Sequence, residues 1–120
     1  MEHNKRWVGA KYEEKAIDYL KQRGMTILEH NYRTKQGEID IIGQQDEYLV
    51  FVEVKYRSSA KAGYPAEAVD YYKQRTICKV ADYYRYTHGI GDASPIRYDV
   101  VGICGEEITW YQNAYYHVGR

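Results

Sequence analysis

Two different periods of apolar and polar residues run along the chain, and together they predict seven elements in the order α-β-β-β-α-β-β. The period of the first segment is helical and places Ala16, Ile17 and Leu20 on one stripe. Because a helix stands between the third and fourth strands, the order favours a crossover connection and a mixed sheet. The predicted helices are residues 6–23 and 65–87, and the predicted strands are residues 25–32, 37–43, 48–56, 96–103 and 108–111.

Charged residues interrupt the two most apolar strands. Glu53 and Lys55 stand two apart in the run Tyr48-Leu49-Val50-Phe51-Val52-Glu53-Val54-Lys55, so strand alternation puts both side chains on one face. Asp40 is enclosed by isoleucines in the preceding strand. A buried charge is costly without a partner, and functional sites collect such charges. The alternative is structural: a buried ion pair of Asp40 with Lys55, and a hydrogen-bonded Glu53.

An acid on one strand followed by Glu-x-Lys on the next is the arrangement of a metal-dependent phosphodiester-cleaving site. Magnesium prefers oxygen ligands, which Asp40 and Glu53 supply. Lys55 would orient or activate the attacking water. Glu13 lies on the core-facing stripe of the first helix and would bind the metal directly or through water. Manganese can substitute for magnesium in this assignment.

The net charge limits how the chain can hold a polyanion. Its 17 basic and 17 acidic residues cancel, so binding to nucleic acid needs a local basic patch. Arg33, Arg57 and Lys61 flank the acidic strands, and Lys73 falls within the apolar stripe of the second helix. These four are the candidate backbone-binding residues, and their alternative is an ordinary solvated surface.

Tyrosine is abundant, with 15 residues against 1 phenylalanine. Tyrosine suits half-buried positions, where the ring packs and the hydroxyl reaches water. Exposed tyrosine rings can also stack on nucleic-acid bases. The sequence alone favours the first explanation and leaves the second open.

The remaining composition bounds the setting. A chain of 120 residues fits a single domain, residues 1–120. Cys78 and Cys104 are far apart, and the 4 histidines lack zinc-type spacing. No apolar run approaches a membrane span or a signal peptide, so we expect a cytoplasmic protein that does not bind membranes. Asp99 is expected to cap or pair within its strand.

These residues together resemble the YraN family of bacterial proteins, within the PD-(D/E)XK nuclease superfamily. Two positions differ from the pattern: Tyr12 stands where a glycine usually precedes the helix glutamate, and Ile39 replaces the proline of the superfamily name. The matching motifs are Gly9 with Tyr12-Glu13-x-x-Ala16, Asn31-Tyr32-Arg33, Gly37-Glu38-Ile39-Asp40, Phe51-Val52-Glu53-Val54-Lys55-x-Arg57, Pro65-Ala66-Glu67-Ala68-Val69 with Lys73, Arg97-Tyr98-Asp99-Val100-Val101 and Asn113-Ala114-Tyr115.

The resemblance implies an α/β domain with a restriction-endonuclease-like αβββαβ core, in which helices flank a mixed sheet, as in Holliday-junction resolvases. It implies a magnesium-dependent nuclease acting on DNA, including branched or repair intermediates. Because such enzymes need paired sites to cut two strands, it also allows a homodimer. The alternative from a different class is a non-cleaving nucleic-acid-binding module within a repair or recombination assembly.

Overall fold

The computed structural model describes residues 2–57 and 69–118, with side chains from residue 9 onward within those ranges. The predicted order of elements is confirmed. The elements are α1 (Glu2–Gln22), β1 (Thr26–Thr34), β2 (Gly37–Gln45), β3 (Tyr48–Arg57), α2 (Tyr71–Thr87), β4 (Ile96–Cys104) and β5 (Glu107–Tyr115).

The strands form one mixed sheet in the order β1-β2-β3-β4-β5. β3 and β4 are parallel, whereas the other neighbouring pairs are antiparallel. Parallel neighbours cannot be joined by a tight hairpin, and α2 lies in the long connection between them. The predicted mixed α/β sheet with flanking helices is therefore confirmed.

Each face of the sheet packs against one helix. Phe51 and Tyr98 lie in the core beneath α2, whereas Val50 and Val52 lie in the core beneath α1. Since both faces are covered, the central strands are apolar at successive positions and not only at alternate ones. A charge on either face of these strands is consequently removed from water.

Gly37 allows α2 to approach the start of β2 closely. Its φ is 153°, and an added Cβ would lie 2.6 Å from Cγ2 of Thr76 on α2. A side chain at this position would push α2 away from the sheet. The glycine thus helps to position the helix whose Lys73 reaches Glu53.

The prediction that the second helix begins at residue 65 was wrong in part. α2 begins at Tyr71, after Asp70, whose backbone is extended with φ −68° and ψ 173°. The Asp70 carboxylate accepts a hydrogen bond from the backbone N–H of Lys73 at 2.8 Å, which is the geometry of an N-cap. Val69 therefore precedes the helix, and residues 65–68 lie outside the described residues.

Several strands are longer than the pattern predicts. The expected turn at residues 44–47 shortens to two residues, because Gln44 and Gln45 pair with Leu49 and Tyr48. β5 extends to Tyr115 instead of ending at residue 111. Within the described part of the chain, no helix is long and apolar enough to cross a bilayer.

Candidate active site

Asp40 lies where β2 separates from β3. The last paired residues of this ladder are Ile41 and Val52. Beyond them the backbone N–H of Val54 donates to Oδ2 of Asp40 at 2.8 Å, so a side chain replaces the neighbouring strand as acceptor. Opposite Asp40 on β1 stands Asn31, with a left-handed φ of 54°. The sheet is thus distorted around Asp40, and its carboxylate lies at the opening.

The alternation of side chains on β2 shifts by one position at the same point. Ile39 and Ile42 both pack in the core beneath α2, whereas Ile41 packs beneath α1. A regular strand would place residues 39 and 41 on one face. The distortion therefore gives the Asp40 carboxylate access to groups from both helices.

Glu53 is almost completely buried on β3, with 4% of its surface exposed. Its Oε2 atom lies 3.7 Å from Nζ of Lys73 on α2. Its Oε1 atom is buried and has no hydrogen-bond partner among the described residues. A buried carboxylate oxygen with an unused lone pair is expensive, which favours a role beyond packing.

The two acids influence each other's protonation. Burial raises the pKa of Glu53 to about 8, and the nearby Asp40 charge adds to the rise. Lys73 and Lys55 oppose it. Burial likewise raises the pKa of Asp40, against the hydrogen bond from Val54. The structure thus brings Asp40, Glu53 and Lys73 together, with Lys55 close enough to act on Glu53 electrostatically.

Glu13 approaches this group from α1. Its charge contributes to the raised pKa of Asp40, and its Oε1 atom lies 2.8 Å from Nε2 of His30 on β1. His30 was not predicted to take part in the site, because the four histidines lack zinc-type spacing. The contact joins residues 17 positions apart, and no local pattern indicates it.

The predicted carboxylates do not stand as one compact ligand set. Within residues described by the structure, no three His, Cys, Asp or Glu side chains lie close enough together to hold a metal ion. Asp40 is electrostatically linked to Glu53 and to Glu13, whereas no direct influence of Glu13 on Glu53 is resolved. Asp40 therefore belongs to two interacting pairs of acids, one with Glu53 and one with Glu13.

The predicted basic residues occupy different surroundings. Arg33 donates from Nε to Oε2 of Glu38 at 2.9 Å on an exposed surface. Arg57 is half-buried at the end of β3. Lys61 lies outside the described residues, and Lys73 reaches Glu53 as stated above. Of the three predicted basic residues that the structure describes, only Lys73 contacts the acidic pair.

Tyr115 is a neighbour of the site that was not predicted to take part in it. Its hydroxyl is buried without a hydrogen-bond partner in the described part of the chain. Burial raises the pKa of Tyr115, and the charge of Glu53 is the next cause. Its ring stacks on Tyr98 with centroids 5.2 Å apart. The motif containing Tyr115 was visible in the sequence, but its position beside Glu53 depends on the pairing of β5 with β4.

Asp99 shows what a purely structural buried acid looks like here. It is fully buried and accepts bonds from the Arg97 guanidinium, from Nε1 of Trp110 at 2.8 Å and from the backbone N–H of Asn113 at 2.8 Å. Asn113 has a left-handed φ of 54°. The expectation that Asp99 pairs within the structure is confirmed, and the contrast with the orphaned Oε1 of Glu53 is clear.

A mixed sheet between two helices, with paired acids where β2 leaves β3, defines an α/β domain consistent with a restriction-endonuclease-like core. A family model described as "Uncharacterised protein family UPF0102" matches residues 12–103. The chain belongs to this family, which is the YraN family that its motifs resemble.

Relatives of similar length support the same assignment. A UPF0102 protein of Lachnoclostridium phytofermentans is 44% identical over 112 residues, covering 93% of this chain and 95% of the relative. One of Fusobacterium nucleatum is 42% identical and covers 92% of both chains. One of Vibrio parahaemolyticus is 43% identical, covering 92% of this chain and 93% of the relative. The shared name states no activity.

Proposed function

We propose that this protein is a metal-dependent nuclease that hydrolyses phosphodiester bonds in DNA, including branched recombination or repair intermediates. The observation that carries the proposal is the pair of the half-buried Asp40 and the buried Glu53, with lysines beside it and one Glu53 oxygen that has no hydrogen-bond partner among the described residues. The fold alone has no need of this arrangement, since the sheet satisfies its other buried acid, Asp99, completely.

The donor atoms of the pair fit a divalent cation. Both acids offer hard carboxylate oxygens, which magnesium prefers, and one or two carboxylates are the usual protein contribution. Burial raises both pKa values, so a cation between the acids would offset the cost of their charges. When bound, magnesium or manganese lowers the pKa of a water molecule and neutralises charge on the phosphate. Asp40 and Glu53 would hold it, with Glu13 contributing through Asp40 or a water.

The lysines would act on the reacting groups. Lys55 follows Glu53 on the same face of β3, where an ammonium group can orient the attacking water or stabilise charge developing on the phosphate. Lys73 competes for Glu53 in the free protein and would be released to a phosphate oxygen on binding. Arg33, Arg57 and Lys61 would contact the nucleic-acid backbone further out. Two copies would be required to cut both strands of a branched molecule.

A second candidate is a nucleic-acid-binding module that does not cleave. Two observations favour it: Nζ of Lys73 already lies 3.7 Å from Oε2 of Glu53, and no three-ligand cluster is assembled among the described residues. It leaves unexplained why two acids stand side by side in apolar strands, where burial raises the pKa of both carboxyls. Cleavage assays on branched, nicked and single-stranded DNA with magnesium or manganese separate the two candidates.

The metal assignment has its own test. Saturating magnesium or manganese should raise the melting temperature of the wild type, because binding to the folded state stabilises it. Asp40→Asn keeps an oxygen that can accept from Val54 N–H but loses the charge, and it should largely abolish the increase. Glu14→Gln, on the exposed side of α1, is the matched control and should keep it. An equal metal response in wild type and Asp40→Asn would contradict the assignment.

A further inference from the structure

The outward side of α2 carries exposed tyrosine rings that the proposed site does not use. Tyr72 is 79% exposed, Tyr83 is 50% exposed and Tyr86 is 83% exposed. Arg75 and Lys79 lie between them in the sequence, and all five residues share one helical stripe, at spacings of three and four. We call this stripe, Tyr72, Arg75, Lys79, Tyr83 and Tyr86, the tyrosine face.

The tyrosine face is separate from the packing of α2 in the protein. The helix packs on the sheet through Ile77, Val80, Ala81 and Tyr84, which are all buried. Large rings exposed together on one stripe are unusual on a surface with no partner. The two charges within the stripe are both positive, and the guanidinium of the half-buried Arg75 lies 5.9 Å from the ring centroid of Tyr71. Rings alternating with cations form the surface chemistry that suits bases and phosphates.

The tyrosine face begins one residue from Lys73, which links α2 to the candidate active site. Lys73, next to Tyr72, places its Nζ 3.7 Å from Glu53. At 1.5 Å per residue, the stripe runs about 21 Å along the helix from that end. Because Lys73 faces the sheet and the stripe faces outward, a nucleic-acid strand with a phosphate at Lys73 would reach the rings by passing around the first turn of α2. Bases of a duplex are already stacked and paired, whereas unpaired bases are free to stack on tyrosine.

We propose that the tyrosine face binds the unpaired nucleotides of single-stranded or flapped DNA adjacent to the acidic site. The inference rests on the proposed function for its choice of nucleic acid. A second copy of the chain fits less well, because a two-fold contact through this stripe brings Arg75 and Lys79 against the same cations. The proposed surface thus assigns a substrate class: DNA with a single-stranded segment.

Binding in the absence of divalent metal tests the inference apart from cleavage. Labelled oligothymidylate and a duplex of the same length are titrated by fluorescence anisotropy in EDTA. The triple variant Tyr72→Ala, Tyr83→Ala, Tyr86→Ala should bind the single strand at least ~10-fold more weakly, since each ring contributes a stacking contact. Its affinity for the duplex should change by less than about twofold, because paired bases do not reach the rings.

Two control variants define the cause of any loss. The corresponding triple change to Phe keeps the rings and should retain single-strand binding. Tyr19→Ala removes a tyrosine from α1, on the other face of the sheet, and should also retain it. Far-ultraviolet circular dichroism checks folding, and if the triple alanine variant does not fold, Tyr86→Ala alone is used, with a smaller loss confined to the single strand.

Unchanged single-strand affinity in a folded alanine variant overturns the inference, as does an equal loss on single strand and duplex. A tyrosine-dependent dimer in sedimentation, with single-strand binding unaffected, also overturns it and makes the stripe a protein interface. If the wild type cleaves DNA and the alanine variant binds the single strand normally, the nuclease proposal is kept and the inference about the tyrosine face is rejected. Ring-dependent binding without cleavage on any substrate supports the inference and removes the nuclease.

Discussion

Two carboxylates at the centre of this sheet are shielded from water, Glu53 at 4% exposure and Asp99 at 0%. Asp99 accepts bonds from three residues, whereas Glu53 keeps one buried oxygen without a partner among the described residues. At the scale of the residue, the supply of hydrogen-bond donors therefore separates a structural acid from a candidate ligand, and burial alone does not.

The raised pKa of Glu53 predicts a pH-dependent stability. Burial raises the pKa of Glu53 to about 8 in the folded chain, against 4.5 for a glutamate in water, so between those values the folded state binds more protons than the unfolded state. The free energy of unfolding should therefore fall as pH rises through this window in metal-free buffer. Melting curves measured across it should show a shallower fall for Glu53→Gln, which has no charge to bury.

The control for this experiment is Glu38→Gln, an exposed partner of Arg33 that removes one carboxylate from the same strand system. Its melting profile should follow the wild type more closely than Glu53→Gln does. Identical profiles for wild type and Glu53→Gln would show that the carboxyl of Glu53 does not hold an extra proton in the folded chain.

Lys55 carries the second residue-scale prediction. Lys55→Met keeps the length and apolar stem of the side chain, so the fold should tolerate it. If the ammonium group stabilises developing charge, single-turnover cleavage should slow at least ~100-fold with DNA binding nearly unchanged. Lys21→Met, on the exposed surface of α1, is the matched loss of a lysine and should leave cleavage unchanged. Undiminished cleavage by Lys55→Met would exclude Lys55 from the mechanism.

At the scale of the element, the first turn of α2 links helix stability to the site. The Asp70 carboxylate holds the backbone N–H of Lys73, the same residue whose side chain reaches Glu53. Asp70→Ala should lower the free energy of unfolding by about 1 kcal/mol in urea titrations, the usual cost of losing an N-cap. Asp70→Ser restores a capping oxygen and should recover most of it. Equal stabilities for Ala and wild type would show that this cap is not needed.

The elements were largely predictable because period and length are local properties of the chain. The long strand β3 and its charged residues could be predicted from the eight adjacent residues Tyr48 to Lys55. The start of α2 could not be predicted in this way, because an apolar stripe does not show that Asp70 is the N-cap and that the helix begins after it. The far half of β5 was missed because Asn113 has a left-handed φ of 54° and interrupts the alternation.

The candidate site was predictable in its residues and not in its contacts. Asp40 and Glu53 stand out as acids in apolar strands, but the pairing of Glu53 with Lys73 spans 20 positions and depends on where α2 begins. The contact of Glu13 with His30, and the place of Tyr115 beside Glu53, likewise arise from the packing of separate elements. Contacts between residues far apart in the sequence leave no periodic pattern from which they could be predicted.

At the scale of the whole molecule, a net charge of zero means that DNA binding must come from the arrangement of charge. Affinity should fall steeply with salt, with a slope set by the number of phosphates contacted. Replacing Arg33, Arg57 and Lys61 by Ala should flatten that slope in anisotropy titrations across salt concentrations. The control replaces three basic residues in and just after α1 by Ala, and it should leave the salt slope nearly unchanged; these residues are Lys15, Lys21 and Arg23. Salt-independent binding by the wild type would contradict backbone recognition.

The two outermost strands, β1 and β5, share a feature with a consequence for assembly. Each contains an asparagine in the left-handed conformation, Asn31 or Asn113, and each ladder to its inner neighbour shifts register. A strand bent in this way does not offer the straight row of N–H and C=O groups on which a further strand adds. The edges of the sheet are therefore poor templates for pairing with the sheet of another copy. A concentrated solution of this protein should resist fibril formation through edge-to-edge strand pairing.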